Sequence, residues 1–350
     1  NVIDTTTFQI SSDIRQIALM IILMRAGLNL KISDLKKVGP SALLMCFIPA
    51  SFEILGLMIL APIFLHLDLL NAAILGTVLA AVSPAVVVPL MLKLMDEGYG
   101  TKEGIPQLIM AGASMDDVYV IVLFTSLLTL AKSGEFNALS LLRIPTSILF
   151  GIVSGIVLGY VLCKLYRLLK LSTEIELACM FAVGMALITI ERMMTGAVGF
   201  SGLLAIMAMT SSVRHIKPEM ADKYSTVLAK LWQPAEIFLF ALVGASVRID
   251  YAVSFGPVVL IVIILALLFR MLGVYLSVMK TKFNMKEKIF TMIAYIPKAT
   301  VQAAIGGLAL EAGLASGELI LTAAVTAILF TAPLGAIFIS FTYRNFLQKA

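Results

Sequence analysis

Eleven apolar stretches, each long enough to cross a lipid bilayer as a helix, follow one another along the chain with short loops between them. The chain is 60% hydrophobic and 13% charged, whereas soluble domains carry about 25% charged residues. The sequence therefore predicts an all-α polytopic membrane protein, with one domain over residues 1–350 and the lipid bilayer as its surroundings. The stretches cover approximately residues 10–30, 40–65, 70–93, 107–131, 144–169, 175–191, 196–213, 226–246, 252–279, 288–310 and 318–342.

Basic residues are shared unevenly between the two sets of alternate loops. Of the 26 Lys and Arg residues, 17 fall in one set together with the C-terminal tail, and 5 fall in the other. Because cytoplasmic loops carry the excess of Lys and Arg, the split predicts a cytoplasmic C-terminus and residue 1 outside. We expect the membrane to be a bacterial inner membrane. The split also explains the net charge of +5 without a nucleic-acid partner. The larger set is Lys31, Lys36, Lys37, Lys93, Lys102, Lys164, Arg167, Lys170, Arg214, Lys217, Lys223, Lys280, Lys282, Lys286, Lys288, Arg344 and Lys349, and the smaller set is Arg15, Lys132, Arg143, Arg192 and Arg248.

Two adjacent aspartates, Asp116 and Asp117, lie near the middle of the fourth stretch. A charged aspartate at this depth costs roughly 2.5–3.5 kcal/mol on insertion scales, so packing does not explain two in a row. The pair points to a site for protons or cations, where the two carboxyls titrate as a coupled pair. They project about 100° apart on a helix and need not share one role. Competition between a proton and a cation for one carboxyl is the simplest basis for antiport.

Other stretches place ionisable or helix-breaking residues at a similar depth. Residues that were selected only by local packing would not be expected to lie at the same depth in the membrane. We therefore expect these residues to belong to one site. They are Glu53 in the second stretch, Ser83 and Pro84 in the third, Arg270 in the ninth, and Pro297 and Lys298 in the tenth. Of these, Ser83 is either a small residue chosen for the break or a cation ligand.

Prolines interrupt the third and tenth stretches. Pro84 and Pro89 lie in the middle of the third, and Pro297 lies in the middle of the tenth. A proline inside a helix removes a backbone hydrogen bond and clashes with the carbonyl four residues earlier. At membrane depth, the freed backbone groups are tolerated only where they are buried in protein or line a cavity. The sequence thus predicts two discontinuous helices that cross.

The order of these features predicts an inverted repeat. Glu53 precedes Pro84 by 31 residues, and Arg270 precedes Pro297 by 27. The two sets of three stretches are seven stretches apart, an odd number, so the second set is inverted relative to the first. Glu53 and Arg270 then occupy equivalent positions and are expected to pair, while Lys298 can offset the negative carbonyl end of a half-helix. Many secondary transporters have this architecture, with the site at the repeat interface.

Three further features remain open. Glu236 lies in the middle of the eighth stretch with no partner that the sequence identifies. Arg25 lies near the cytoplasmic end of the first stretch, where it can extend its head group to the membrane surface. Gly151, Gly155 and Gly159 form a stripe that allows close helix approach, either within the chain or at a dimer interface.

Four segments together resemble one known family. They are Ile17–Leu28, Ala80–Pro89, Met115–Asp117 and Ile296–Gly306. At these segments the chain resembles the Na+/H+ antiporters of the cation:proton antiporter superfamily, in the sodium/hydrogen exchanger B branch. The second and fourth segments are specific to that branch, whereas the double aspartate alone is weaker evidence.

The resemblance implies an inverted-repeat antiporter fold in a homodimer. A core or transport part (residues 40–131 and 252–342) is expected to move like an elevator against a dimerisation part (residues 10–30 and 144–246). Additional N-terminal helices are expected to precede the chain, which starts at Asn1 and has its first methionine at Met20; a processed N-terminus is the simpler alternative.

The resemblance also implies roles at the site. Asp117 is the main ligand of the proton and of the Na+ or Li+ ion, with Asp116 as its partner. Electrogenic bacterial antiporters have a lysine where this chain has Arg270, and Glu53 offers that arginine a second carboxylate. Whether Asp116 pairs with Arg270 or with Lys298 therefore stays open, as does the ion stoichiometry.

The leading hypothesis is a secondary antiporter that exchanges Na+ or Li+ for protons, with no cofactor beyond the transported ions. A K+/H+ antiporter, or a transporter of the same fold with another cargo, is the alternative. An intramembrane aspartyl protease is disfavoured because its two aspartates must face each other from different helices. A channel or sensor is a weaker fourth hypothesis.

Overall fold

The computed structural model describes residues 5–29, 40–133, 143–169, 171–194 and 199–349, and within these ranges the secondary structure is helical apart from one isolated bridge between Tyr99 and Lys349. The all-α prediction is confirmed. The helices are α1 (Thr5–Asn29), α2 (Pro40–Met45), α3 (Ile48–Leu65), α4 (Leu69–Leu79), α5 (Pro84–Asp96), α6 (Ile105–Ser133), α7 (Arg143–Leu169), α8 (Thr173–Met193), α9 (Gly202–Ile216), α10 (Pro218–Ser246), α11 (Ile249–Val278), α12 (Met285–Ala294), α13 (Thr300–Gly306), α14 (Leu308–Glu311) and α15 (Gly317–Phe346).

Each of the eleven predicted stretches contains helix, and among the described residues eight helical stretches are long and apolar enough to cross a membrane. The other three differ for separate reasons. In the first, the apolar part of α1 is confined to Gln16–Leu28. The seventh gives the 15-residue helix α9, whose first turn is capped by the Ser201 hydroxyl, a hydrogen-bond acceptor for the Leu204 amide at 3.3 Å. The tenth is divided by the break at Pro297.

The contacts within the chain divide it into two units. The first comprises Asn1–Lys31 and Val122–Leu242, and the second comprises Ile32–Ile121 and Val243–Ala350. Helix α6 therefore contributes its first part, with both aspartates, to the second unit.

In the first unit, the glycine stripe of α7 lies directly against α9. A Cβ atom on Gly155 would lie 2.7 Å from the Cβ of Ala208 and 2.9 Å from the amide nitrogen of Met209. Gly151 and Gly159 approach the same helix in the same way. The sequence left two interpretations of the glycine stripe, packing within the chain or a dimer interface. The structure shows close packing within the chain.

Glu236 also gains a partner in the first unit. The guanidinium carbon of Arg25 lies 5.8 Å from the ring centroid of Trp232, one helical turn before Glu236 on α10. Arg25 and Glu236 attract each other, and the Trp232 side chain hydrogen-bonds the Glu236 carboxylate. Spacing along the sequence does not reveal this pair, because its members are 211 positions apart.

The second unit contains both interrupted helices. One break separates α4 from α5 at residues 80–83, and the other separates α12 from α13 at residues 295–299. The Ser83 amide donates a hydrogen bond to the Pro297 carbonyl at 2.8 Å, and the Gln302 side-chain amide donates to the Ala81 carbonyl at 2.8 Å. The two breaks thus lie side by side, which confirms the predicted pair of crossing discontinuous helices.

Local signals explain where the interrupted helix α4–α5 starts and restarts. The Asp68 carboxylate caps α4 by accepting hydrogen bonds from the Leu70 and Asn71 amides, each at 3.0 Å. Burial acts to raise the pKa of Asp68, but these bonds and one from the Asn71 side chain outweigh it and lower the pKa below its ordinary value. Pro84 is the first residue of α5, a position where its missing N–H costs no helix bond.

Helices α3 and α11 approach closely and bring Glu53 and Arg270 together. A Cβ atom on Gly273 of α11 would lie 2.8 Å from the Cα atom of Pro49 on α3. Glu53 is one turn after Pro49, and Arg270 is about one turn before Gly273. The contact between α3 and α11 therefore explains why Glu53 and Arg270, at equivalent positions in the two repeats, form a pair.

The end of the chain is attached to the loop between α5 and α6. The Tyr343 hydroxyl donates to the Glu97 carboxylate at 2.8 Å, and the Gly100 amide donates to the Gln348 carbonyl at 2.8 Å. The Tyr99 ring packs edge-on against Tyr343, with centroids 5.1 Å apart. This attachment restrains the C-terminal end of α5 and the N-terminal end of α6. Ser83 directly precedes the other end of α5, and the two aspartates lie farther along α6.

We expect Tyr343→Phe to lower the free energy of unfolding by about 0.5–1.5 kcal/mol, because the Glu97 carboxylate loses a hydrogen-bond donor. Thermal unfolding of the purified protein in detergent measures this. The matched control is Tyr160→Phe, since Tyr160 is 60% exposed. Equal midpoints for the two variants would contradict a restraining role for the Tyr343 hydroxyl.

Candidate functional site

Arg270 is the centre of a buried charged cluster in the second unit. Its side chain is 1% exposed, with Nη1 donating to Glu53 Oε2 at 2.9 Å and Nη2 donating to Asp116 Oδ2 at 2.7 Å. Its Nε donates to the Tyr295 carbonyl at 2.8 Å, and Nη1 also donates to the Ala80 carbonyl. The expected Glu53–Arg270 pair is therefore present. The choice left open by the sequence is resolved, since Arg270 binds Glu53 and Asp116 at the same time.

Lys298 is the second buried cation of this cluster, and it pairs with Glu53. Its side chain is 0% exposed, and its Nζ lies 2.7 Å from Glu53 Oε1 and 2.9 Å from Oε2. The same nitrogen donates to the Leu79 carbonyl at 2.5 Å. Leu79 is the last residue of α4, so the ammonium lies at the negative carbonyl end of that half-helix.

The polar side chains of the cluster satisfy backbone groups that the two breaks leave without helix partners. The Val82 amide donates to Asp116 Oδ2 at 2.9 Å, and the Lys298 amide donates to the Thr331 hydroxyl at 3.0 Å. The carbonyls of residues 79 to 81 accept from Lys298, Arg270 and Gln302. Buried backbone groups must be paired, so these side chains hold the breaks in place.

Asp117 stands apart from these contacts. The ion pairs of the cluster use Glu53 and Asp116, and the Asp117 side chain is half-buried with its Oδ1 atom enclosed by protein. Within the described residues, that oxygen has no hydrogen-bond partner, and the same holds for Asp116 Oδ1 and the Ser83 hydroxyl. Ser83 is the residue before α5, but its hydroxyl does not cap that helix. These three side-chain oxygens thus have no partner among the described residues. Asp116 and Ser83 lie at the first break, and Asp117 follows Asp116 on α6.

The structure brings the predicted site residues into one unit. Asp116 contacts Arg270 and the first break, Lys298 and Glu53 contact each other, and Pro297 contacts Ser83 through its carbonyl. Among the described residues, no three His, Cys, Asp or Glu side chains are grouped in a way that holds a resident metal ion.

Sequence reasoning missed three contributors to the cluster. Gln302 and Thr331 bind backbone at the breaks, and Tyr295 binds Arg270 through its carbonyl and its ring. A signal was available for Gln302, because a side-chain amide within the apolar run that follows Pro297 requires a partner. Tyr295 gave no such signal, since an aromatic residue is ordinary in an apolar helix.

Comparison with known proteins agrees with this architecture. The family model "Sodium/hydrogen exchanger, transmembrane" matches residues 2–344. The chain is 35% identical over 355 residues to sodium/hydrogen exchanger 9B2 of Homo sapiens, covering 97% of this chain and 65% of that protein. It is 35% identical over 340 residues to sodium/hydrogen exchanger 9B1 of Homo sapiens, with 93% and 65% covered. The chain thus spans about 65% of the length of these curated relatives.

One solved structure shares the fold across nearly the whole chain. The sodium proton antiporter MjNhaP1 from Methanocaldococcus jannaschii at pH 8 superposes with a TM-score of 0.84, covering 99% of this chain and 88% of that one at 20% identity. Inverted repeats that meet at two broken helices are the architecture of one class of folds, which many secondary transporters share. Within that class, the chain belongs to the sodium/hydrogen exchanger family, since the family model spans almost all of it.

We expect Arg270→Gln to lower the free energy of unfolding by about 3–5 kcal/mol, because it removes the buried positive charge that pairs with Glu53 and Asp116 and a donor to two carbonyls. Yield of monodisperse protein and the thermal midpoint in detergent measure this. Arg248→Gln is the matched control, since Arg248 is 59% exposed in its pairs with Asp250 and Glu318 and such pairs contribute about 0–1 kcal/mol. Similar losses in both variants would show that the cluster does not stabilise the fold.

Proposed function

We propose that the chain exchanges Na+ or Li+ for H+ across the membrane by alternating access, and that Asp117 is the carboxyl that the two ions occupy in turn. The observation that carries this proposal is the position of Asp117 outside the ion pairs of the cluster. Membership of the sodium/hydrogen exchanger family supports the same activity. The 9B relatives are longer proteins, so the activity is proposed for this chain rather than transferred from them.

A charge count supports a monovalent ligand. Arg270 and Lys298 supply two positive charges, and Glu53 and Asp116 supply two negative charges within ion-pair distance of them. Asp117 adds one further negative charge at membrane depth, where an uncompensated carboxylate is costly. One proton or one monovalent cation neutralises it. The two ions therefore compete for one place, which couples their movement in opposite directions.

The free oxygens supply a ligand set for the cation. Asp117 Oδ1, Asp116 Oδ1 and the Ser83 hydroxyl have no hydrogen-bond partner among the residues that the structure describes. Interrupted helices supply such oxygens in many secondary transporters, together with the carbonyls of unwound backbone. We assign Asp117 as the main ligand and Asp116 and Ser83 as supporting ligands. Arg270, Lys298 and Glu53 hold the breaks in place rather than bind the cation.

Three finer assignments belong to the same proposal. The family resemblance supports a homodimer and an elevator-type movement of residues 40–131 and 252–342 against residues 10–30 and 144–246. The distribution of Lys and Arg supports a cytoplasmic C-terminus. A bacterial inner membrane is the location that we propose. K+ in place of Na+ is the alternative cargo, because both ions carry one charge.

The geometry disfavours an intramembrane aspartyl protease. Its two aspartates must share a proton across a cleft, whereas Asp116 and Asp117 are neighbours on α6. Asp116 is also held by Arg270 and by the Val82 amide.

The test is proton flux in proteoliposomes that hold a preset pH gradient, with Na+, Li+ or K+ added outside. We expect Asp117→Asn to abolish cation-dependent flux while the protein remains folded, because an amide cannot exchange a proton for a cation. Asp96→Asn is the matched control, since Asp96 is an exposed aspartate at the end of α5. Full Na+-dependent flux in Asp117→Asn would refute the site. Proton flux that is driven by K+ but not by Na+ or Li+ would favour K+ as the transported cation.

We expect the exchange to be electroneutral, because Asp116 is already bound by Arg270 and only Asp117 is left to exchange one charge for one. Initial rates in proteoliposomes should therefore stay the same when a K+ gradient and valinomycin set the membrane potential to zero or to about −100 mV, a difference that is worth ~2.3 kcal/mol for each charge moved. The same rates are also measured with Li+ in place of Na+, as a second transported cation. A rate that changes steeply with potential would show that Asp116 also exchanges a proton.

A further inference from the structure

Tyr295 is buried at the charged cluster, and two of its groups hold Arg270. It is 0% exposed and is the first residue of the second break, directly after α12. Its carbonyl accepts from Arg270 Nε at 2.8 Å, and its ring centroid lies 5.3 Å from the guanidinium carbon. The backbone and the ring thus fix the arginine that binds Glu53 and Asp116.

The hydroxyl of Tyr295 has no part in these contacts. It is a buried oxygen with no hydrogen-bond partner among the described residues. The ring otherwise lies in an apolar cluster that includes Met45, Ala113 and Phe290. A phenylalanine makes the same ring contacts without an unpaired hydroxyl, and an unpaired buried hydroxyl is unfavourable. Packing therefore does not explain why the residue is a tyrosine.

A glycine on α6 makes room for this hydroxyl. A Cβ atom on Gly112 would overlap the Tyr295 hydroxyl and would lie 3.3 Å from the ring carbon that carries it. Gly112 and Asp116 are four residues apart and share one face of α6. The hydroxyl therefore lies about one helical turn, roughly 6 Å along the axis, from the level of Asp116.

The charged and titratable groups that act on Tyr295 come from α6, from α11 and from the segment between α2 and α3. They are Asp116 and Asp117 on α6, Arg270 on α11 and the Cys46 thiol between α2 and α3. Of these, Asp116 has one oxygen, Oδ1, that is enclosed and without a partner. A donor without an acceptor and an acceptor without a donor thus lie within one turn of each other. One water molecule between them would satisfy both.

We propose that Tyr295 is a positioning residue of the ion site, whose hydroxyl donates to Asp116 Oδ1, directly or through one water molecule, when the cation is bound. The inference rests on the proposed function. The hydroxyl orients Asp116, a supporting ligand, while the ring and carbonyl keep Arg270 on the other oxygen of the same carboxylate. Tyr295 touches no transported ion itself.

Tyr295→Phe tests this role in the same proteoliposome assay. We expect an apparent KM for Na+ about tenfold higher, in keeping with the loss of one hydrogen bond to a charged group, a maximal rate within about twofold, and an unchanged or higher thermal midpoint. A role in packing alone predicts an unchanged KM and an unchanged maximal rate, because phenylalanine keeps the same ring contacts. An unchanged KM overturns the proposal, whereas wild-type protein without Na+-dependent flux refutes the proposed function instead.

Tyr224→Phe is the matched control for removing a buried tyrosine hydroxyl. Tyr224 lies in the first unit, is 1% exposed, and donates to Glu176 at 2.6 Å. We expect this variant to have a lower thermal midpoint and an unchanged KM for Na+. A raised KM in Tyr224→Phe as well would mean that KM reports general destabilisation, and it would overturn the assignment to Tyr295.

Gly112→Ala tests the position of the hydroxyl without relying on transport. The added methyl group meets the Tyr295 hydroxyl, so we expect a lower thermal midpoint. In the double variant Gly112→Ala/Tyr295→Phe the clash with the hydroxyl is removed, while the contact of the added methyl with Met45 Cβ at 2.9 Å remains. We therefore expect the midpoint to recover in part, while the KM stays as high as in Tyr295→Phe. A double variant no more stable than Gly112→Ala would show that the hydroxyl does not face Gly112 and would overturn the proposal.

Discussion

The structure depends on one constraint, that backbone groups released by a helix break inside a membrane must find partners within the protein. Two helices of the second unit break next to each other, at residues 80–83 and 295–299. Their released groups bind the side chains of Arg270, Lys298, Gln302 and Asp116, as well as each other. The charged residues are therefore part of the backbone scaffold. Neither the breaks nor the charges would be tolerated without the other.

The ion pairs separate the residues that hold the two breaks from Asp117, a carboxylate that takes no part in those pairs. Glu53 and Asp116 are committed to the two cations, and those cations are in turn committed to carbonyls of the first break. Asp117 lies next to this neutral framework and outside its ion pairs. A site with one uncompensated carboxyl can bind one proton or one monovalent cation, and that property connects the geometry to exchange.

Much of the framework was predictable from sequence, and the reasons are physical. Prolines in the middle of apolar stretches predicted both breaks, and the cost of charge in lipid predicted that Asp116 and Asp117 belong to a site. The inverted order of features predicted the Glu53–Arg270 pair. The partner of Asp116 was not predictable, because arginine carries five donors and binds several acceptors at once. Tyr295 and the Arg25–Glu236 pair were missed, since both depend on which helices pack together rather than on spacing.

By itself, the sequence determined the membrane class, the two broken helices and the residue types of the site, because hydropathy, proline chemistry and the cost of buried charge act locally along the chain. Only the tertiary structure decided which charges neutralise one another. Arg270 joins Glu53 and Asp116, Lys298 joins Glu53, and Asp117 remains outside their ion pairs. These pairings follow from the close contact of α3 with α11 and from the crossing of the two breaks. Distances between residues more than 150 positions apart are set by such packing.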